Sequence, residues 1–314
     1  MVSLGWEMIP AGPHGGDGAR LAAVLGIPAR AVLDLSASLN PVAPDPAPVV
    51  ARHADAVRRY PDPAEATGIL AAAMGVDADR LLLTNGGAEA IALVATEQPC
   101  GEVEDPEFSL YRRHLREVRG GAPRWRSNPH NPTGRLAGPG EKASVWDEAF
   151  YPLATGVWTR GDAERGSFVV GSLTKLFACP GLRIGYVICP DAASALRLEG
   201  HQPRWSVNGP ALAALPELLA GADLVAWSAA VSGLRRELVS LLRRHGLEPA
   251  ASDANWVLVA APGLRDRLAR EAILVRDCAS FGMPGTVRIA VPDAAGLKRL
   301  GAALGRVLPA RERV

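Results

Sequence analysis

The chain has 314 residues and a formal net charge of +1, and 31 of its 34 basic side chains are arginines, leaving Lys142, Lys175 and Lys298 as the lysines. A Walker phosphate loop is excluded because those lysines follow Glu141, Thr174 and Leu297 rather than glycine, and a protein kinase because no lysine precedes Lys142 to pair with a glycine-rich loop. With 34 basic against 33 acidic groups there is no sequence-wide field for nucleic acid or an anionic membrane, so a small molecule is the expected partner of a globular chain long enough for about two domains.

Residues 1–39 read as an arm, in which Pro10, Pro13, Gly15, Gly16 and Gly18 precede a short helix near Ala19–Leu25 and an apolar strand at Ala31–Leu35. The Leu21–Leu25 patch is cut by Pro28 and Arg30. No run approaches the ~18 apolar residues of a bilayer span, so the chain reads as soluble, unexported and cytoplasmic. A large domain is expected over 40–206. Within it Leu81-Leu82-Leu83-Thr84 is a buried strand, Asn85-Gly86-Gly87 a turn and Ala88–Ala95 a helix, and strand-like runs recur at Ser144–Trp146, Ser167–Val170 and Ile184–Cys189, as in an open parallel sheet. From about 207 to 314 the helices lengthen. Leu212–Leu219 and Leu224–His245 are amphipathic, and runs at Trp256–Ala260, Ile273–Val275 and Val287–Val291 alternate with helices, which predicts a smaller α+β domain. Arg235, Arg236, Arg243 and Arg244, interrupted by Glu237 and leucines, read as a solvated helix face. Cys100, Cys179, Cys189 and Cys278 show no Cys-x-x-Cys spacing and are expected as buried, reduced thiols.

Context separates the lysines. Lys142 lies in a Gly-Pro-Gly-Glu loop and Lys298 beside Arg299 on a terminal helix, whereas Lys175, in Gly171-Ser172-Leu173-Thr174-Lys175, follows a strand. A phosphate anchor wants hydroxyls, a guanidinium and a helix N-terminus around one dianion, and Ser172, Thr174, Arg183 and the Gly86-Gly87-Ala88-Glu89 turn supply them. A phosphorylated cofactor beside a lysine is the object these residues imply.

Between them lie Ser127-Asn128-Pro129-His130-Asn131-Pro132-Thr133-Gly134 and Val145-Trp146-Asp147-Glu148-Ala149-Phe150. From about Pro13 to Val291 the order of these motifs resembles the fold-type I enzymes that use pyridoxal 5′-phosphate, the aspartate aminotransferase-like superfamily. The resemblance implies an α/β large domain with a mainly parallel sheet, plus the smaller α+β domain on which the arm packs. It implies Lys175 as the Schiff-base lysine and Asp147 as the carboxylate that keeps the pyridine nitrogen protonated. Asn131 would bond the ring hydroxyl and Phe108, in Pro106-Glu107-Phe108-Ser109-Leu110-Tyr111, would stack on the ring. Gly87, Ala88, Ser172, Thr174 and Arg183 would hold the phosphate. Tyr60, in Arg59-Tyr60-Pro61-Asp62-Pro63, would reach it from a neighbouring subunit, which implies a homodimer.

His14-Gly15-Gly16-Asp17 and Asp34-Leu35-Ser36-Ala37-Ser38-Leu39-Asn40-Pro41 resemble the N-terminal signature of the threonine-phosphate decarboxylases of cobalamin biosynthesis, kin of the histidinol-phosphate aminotransferases. Leu35 and Ser38 depart from that pattern. Phe150 stands where the aminotransferases usually carry a tyrosine, which leans toward the decarboxylase branch. In that resemblance Arg288 takes the substrate α-carboxylate, Arg276 and His14 a distal phosphate, and Asn40 belongs to the substrate site; the substrate is a small phosphorylated amino acid. Whichever Cα bond stands perpendicular to the ring breaks, so decarboxylation and transamination share every residue named. A relative that binds the cofactor without turnover is the remaining reading. Phe108 and Asn128 are 20 residues apart, and Gly134 and Asp147 13, where related enzymes interpose additional strand and helix. The large domain is therefore expected to be trimmed, as in a short, arginine-rich actinobacterial form.

Overall fold

In the computed structural model, which describes Gly12 and residues 14–308, the arm forms α1 (Gly18–Leu25), ended by left-handed Gly26, and β1 (Leu33–Leu35). Then follow α2 (Ala47–Arg52), α3 (Ala64–Met74), β2 (Leu81–Thr84), α4 (Gly87–Glu97), β3 (Cys100–Gly101), α5 (Ser109–His114), β4 (Glu117–Val118) and β5 (Trp125–Ser127). The middle of the chain gives β6 (Val145–Asp147), α6 (Tyr151–Thr155), β7 (Phe168–Ser172), α7 (Leu173–Leu176), β8 (Gly185–Ile188), α8 (Ala192–His201), α9 (Gly209–Ala220) and α10 (Leu224–Arg244). The remainder is β9 (Trp256–Ala260), α11 (Leu264–Arg270), β10 (Ile273–Asp277), β11 (Thr286–Ala290) and α12 (Ala294–Val307). No single described helix is long and apolar enough to cross a membrane.

Two compact units emerge, one from Leu39–Ser232 with Asp253–Asn255 and the other from Met1–Ser38, Gly233–Ser252 and Trp256–Val314. The division falls after Ser232, not near 207 as expected. The reason is α9, whose Ala211, Leu212, Leu215 and Leu218 share one core with Leu70, Trp146 and Leu153 of the larger unit.

The larger unit holds a five-stranded sheet in the order β2-β8-β7-β6-β5. Strands β5, β6 and β7 are parallel, while β8 runs antiparallel to both β7 and β2, so the sheet is mainly rather than wholly parallel. Its strands read as unbroken apolar runs because both faces are covered. Side chains alternate between two cores as the pleat requires: Val145, Phe168, Val170 and Val187 enter one, and Trp146, Val169, Tyr186 and Ile188 the other. Between Phe108 and Asn128 the chain forms only α5, β4 and β5, and between Gly134 and Asp147 no described element precedes β6. Strands β3 and β4 pair in parallel although each has two residues, and a Glu102–Arg124 bridge joins this pair to the chain entering β5.

In the smaller unit the sheet order is β1-β10-β11-β9. The arm contributes its edge, with Leu33 to Leu35 in parallel register with Ile273 to Val275, while β10, β11 and β9 are antiparallel. Leu238, Leu242, Val257, Ile273, Ile289, Leu300 and Leu304 form its core. Cys179, Cys189 and Cys278 are buried and reduced as expected, but Cys100 is partly exposed because its two-residue strand leaves it at a sheet margin.

Candidate active site

Strands β2, β5, β6 and β7 run the same way, so their carboxyl ends share one edge of the sheet, where ligands bind in open α/β folds. The chemistry-bearing residues sit on that edge. Strand β7 ends at Ser172 and passes into α7, which carries Thr174 and Lys175; β6 ends at Asp147 and β5 at Ser127, and Ser127 and Asp147 are register partners. The turn after β2 supplies Gly86 and the first residues of α4, Gly87 and Ala88, whose N–H groups have no acceptor within the helix by geometry.

Two segments close on each other here. Gly86 has φ 79° and ψ 168°, a region that in effect only glycine adopts, and a Cβ on it would stand 2.5 Å from Arg183 Nη2. Arg183 itself is left-handed at φ 53°. Its neighbour Leu182 is held by the Asn208 side-chain amide, which donates to the Leu182 carbonyl at 2.7 Å. A Cβ on Gly87 would lie 3.4 Å from Ser172 Cβ, so helix start, hydroxyl and guanidinium are neighbours. Thr174 differs from expectation: it is buried and its hydroxyl donates to the Ile184 carbonyl at 3.3 Å, which commits its one proton to the backbone.

Asp147 is half-buried as a residue, and the protein around its carboxylate desolvates it and raises its pKa. The Ala149 N–H, at 3.0 Å from Oδ1, and the Tyr111 hydroxyl, donating to Oδ2 at 2.8 Å, pull the other way. Tyr111 is 1% exposed, and its ring meets Phe108 edge-on with centroids 5.8 Å apart. Asn131 is buried, its backbone N–H donating to Ser127 Oγ at 2.7 Å. Neither Tyr111 nor Glu107, which binds Ser127, was singled out from the sequence; the available signal was a tyrosine three residues after Phe108, one helical turn on.

These residues fit a phosphorylated pyridine aldehyde. Gly86 makes room that a side chain would close, Arg183 and Ser172 stand beside the N-terminus of α4, and the Asp147 carboxylate, held toward its ionised form by the Ala149 N–H and the Tyr111 hydroxyl, suits a cationic ring nitrogen.

Asn40 is turned to the chain itself. Its Nδ2 donates to the Leu176 carbonyl at 2.9 Å, its Oδ1 accepts from the Val42 N–H, and its backbone N–H donates to the Lys175 carbonyl at 3.0 Å. The expected substrate ligand is thus a brace behind Lys175. Tyr60 is 79% exposed and stacks on Trp205, with centroids 4.5 Å apart.

In the smaller unit Arg276 and Arg288 are direct register partners on β10 and β11, 4% and 6% exposed. Arg276 lies over Phe281 and Arg288 over Trp256, 4.8 Å from the ring centroid, so each guanidinium rests on an aromatic face. Burial lowers both pKa values, and Arg276 helps push Arg288 down to about 10. The two N-terminal signatures meet at this pair. Ser36 Oγ donates to Asp34 and accepts from the Gly16 N–H, and a Cβ on Gly15 would strike the Ser36 carbonyl at 2.1 Å. Arg276 Nη1 donates to the Gly12 carbonyl at 3.4 Å and Arg288 Nη2 to the Ser36 carbonyl at 3.5 Å, while His14 is exposed on the same arm.

The chain matches the family model for aminotransferase class I and II over residues 125–304. Threonine-phosphate decarboxylase of Salmonella typhimurium is 31% identical, the match covering 94% of this chain and 96% of that protein. Histidinol-phosphate aminotransferase 1 of Dechloromonas aromatica is 25% identical over 86% of this chain and 88% of its own. The solved structure of histidinol-phosphate aminotransferase from Sinorhizobium meliloti in complex with pyridoxal-5′-phosphate has a TM-score of 0.79 at 18% identity, covering 98% of this chain and 97% of that one, a likeness of fold.

Proposed function

Because the chain belongs to the class I and II aminotransferase family, we propose that it is a decarboxylase of L-threonine O-3-phosphate, yielding (R)-1-amino-2-propanol phosphate in cobalamin biosynthesis. It is an enzyme that depends on pyridoxal 5′-phosphate, and that cofactor supplies the electron sink for the bond broken at Cα. Lys175 would hold the aldehyde through Nζ and would move the proton at Cα. Asp147 would keep a proton on the ring nitrogen. Asn131 would donate to the ring hydroxyl and Phe108 would cover the ring face. Gly87, Ala88, Ser172 and Arg183 would hold the phosphate, with the Thr174 hydroxyl proton given to Ile184.

In the smaller unit Arg288 takes the α-carboxylate, and Arg276 with His14 takes the distal phosphate. The observation that carries this reading is the buried, register-paired Arg276 and Arg288. Two guanidiniums opposed on neighbouring strands match a substrate that bears two anionic groups. Phosphothreonine has a carboxylate and a phosphate; histidinol phosphate has a phosphate alone. The relative at 31% identity supports the same choice.

A second reading, an aminotransferase of the histidinol-phosphate type, is favoured by relatives such as that of Dechloromonas aromatica. Carbon dioxide release from L-threonine O-3-phosphate without any ketoacid distinguishes the two. No release, together with half-transamination by an amino donor, overturns the decarboxylase. A non-catalytic relative is the third reading, and borohydride reduction tests it: covalent label on Lys175 with turnover excludes it.

The homodimer belongs to this proposal, with Tyr60 of one copy reaching the cofactor phosphate of the other. The exposed Tyr60–Trp205 stack supports it. Mixing inactive Lys175→Ala and Tyr60→Phe proteins tests it, since a shared site regains activity in the hybrid and independent sites do not.

A further inference from the structure

Glu107 is a buried carboxylate that none of the roles above employs. It lies between Pro106 and Phe108, ahead of α5, and is 8% exposed. Its Oε1 accepts the Phe108 backbone N–H at 2.9 Å and the Ser127 hydroxyl at 2.5 Å, and its Oε2 accepts the Ser127 backbone N–H at 3.0 Å. Having given its proton to Glu107, the Ser127 oxygen accepts the Asn131 N–H at 2.7 Å. Three donors converge on two oxygens, a pattern that a group with acceptors alone satisfies in full.

The segments so joined are the one that presents Phe108 and the one that presents Asn131. A second tie runs beside the first: His130 Nε2 donates to the Pro106 carbonyl at 2.8 Å, since that carbonyl only accepts, and His130 Nδ1 then accepts the Thr133 hydroxyl at 2.7 Å. The carboxylate carries a cost. Burial pushes the Glu107 pKa up to about 7 against its three hydrogen bonds, and Asp147 adds to the rise. Among the described residues His130 Nε2 stands 3.8 Å from Oε2, and Arg126 and Tyr111 feel its charge. A neutral side chain at this position would avoid that cost and leave buried N–H groups unmatched.

From this geometry we infer that Glu107 is a positioning residue for the cofactor ring: it sets the spacing between Phe108 and Asn131, and with it the tilt and tightness of the ring, without touching the cofactor. This rests on the assignment of Phe108 and Asn131 to the ring made above. Replacing Glu107 with glutamine keeps the volume but puts an NH2 against an N–H whichever way the amide is turned.

The test uses apoprotein at pH 8, where the carboxylate is ionised, titrated with pyridoxal 5′-phosphate; the readouts are the dissociation constant, the visible circular dichroism of the bound cofactor and the thermal midpoint of the apoprotein. Both Glu107→Gln and Ser127→Ala are expected to weaken binding about tenfold and change the dichroic band. The double variant should lose no more than either alone, because both break one chain of bonds. A Glu107→Gln protein that shifts only the thermal midpoint, with the dissociation constant and dichroic band of wild type, overturns the inference. So does additive loss in the double variant. Borohydride labelling separates this from the underlying reading: if wild type takes no label on Lys175, the site assignment falls and the inference with it; if wild type is labelled and the variants bind as it does, the inference alone falls.

Discussion

The Tyr111 hydroxyl donates to Asp147 Oδ2 at 2.8 Å, a bond across 36 residues that reaches the carboxylate expected to hold the ring nitrogen. Trp125 and Phe108 pack around the Tyr111 ring, each with its centroid 5.8 Å away, so the donor is held by its surroundings. It opposes the dominant effect at Asp147, desolvation, which favours the neutral acid.

Replacing Tyr111 with phenylalanine keeps the packing and removes that donor. Asp147 then loses an influence that lowers its pKa, so it ionises at higher pH and the acid limb of the pH profile moves up. A hydrogen bond to a charged group is worth about 1.5–3 kcal/mol, or roughly one to two pH units. The profile of kcat/KM against pH measures this; a limb that stays in place removes the role assigned to Tyr111.

At Gly86 an alanine adds a Cβ 2.5 Å from Arg183 Nη2 at a φ of 79°. The guanidinium can swing away, but the phosphate anchor then goes with it, and the backbone strain adds about 1–3 kcal/mol. Affinity for pyridoxal 5′-phosphate should fall about ten- to a hundredfold. Gly68→Ala in α3, where a Cβ meets nothing within 4 Å, is the control and should titrate as wild type.

Glu148, fully buried beside Asp147, accepts the Arg160 N–H at 3.2 and 3.3 Å, and burial raises its pKa from 4.5 to about 7. Between those values the folded protein holds a proton that the unfolded chain has released, so Glu148 makes stability fall as pH rises from about 4.5 to 7. Its full contribution is roughly 3 kcal/mol. A Glu148→Gln apoprotein should match wild type near pH 5 and melt several degrees higher at pH 8. Parallel melting curves across that range would refute the assignment.

Exchanging Arg276 for glutamine should raise KM for phosphothreonine by about ten- to a hundredfold, the worth of a charge-assisted contact. Threonine, which lacks the phosphate, should be handled equally by variant and wild type. Steady-state kinetics on both substrates reads this, and an equal loss on both would move Arg276 from recognition to structure.

The short motifs were legible in the sequence because each carries its chemistry within a few residues of a strand end. Lys175 follows β7, and Gly86 and Gly87 form the one turn between β2 and α4, so type and spacing marked them, whereas Asp147, which ends β6, was marked by the family resemblance. Apolar runs likewise marked β2, β6, β7 and β8 and the four strands of the smaller unit, since a strand covered on two faces has no polar alternative, but not β5, whose Trp125-Arg126-Ser127 is no apolar run, nor the antiparallel direction of β8. Contacts across long separations were decided only by tertiary structure. Thr174 has the right chemistry for a phosphate, but Ile184 claims its proton, and Asn40 braces Leu176 in place of a substrate. The boundary moved to Ser232 because α9 found its partners in α3 and α2 of the larger unit. Glu107, Tyr111 and the opposed Arg276 and Arg288 take their roles from strand register and from loops brought side by side; spacing along the chain fixes neither, because register depends on which apolar faces pack together.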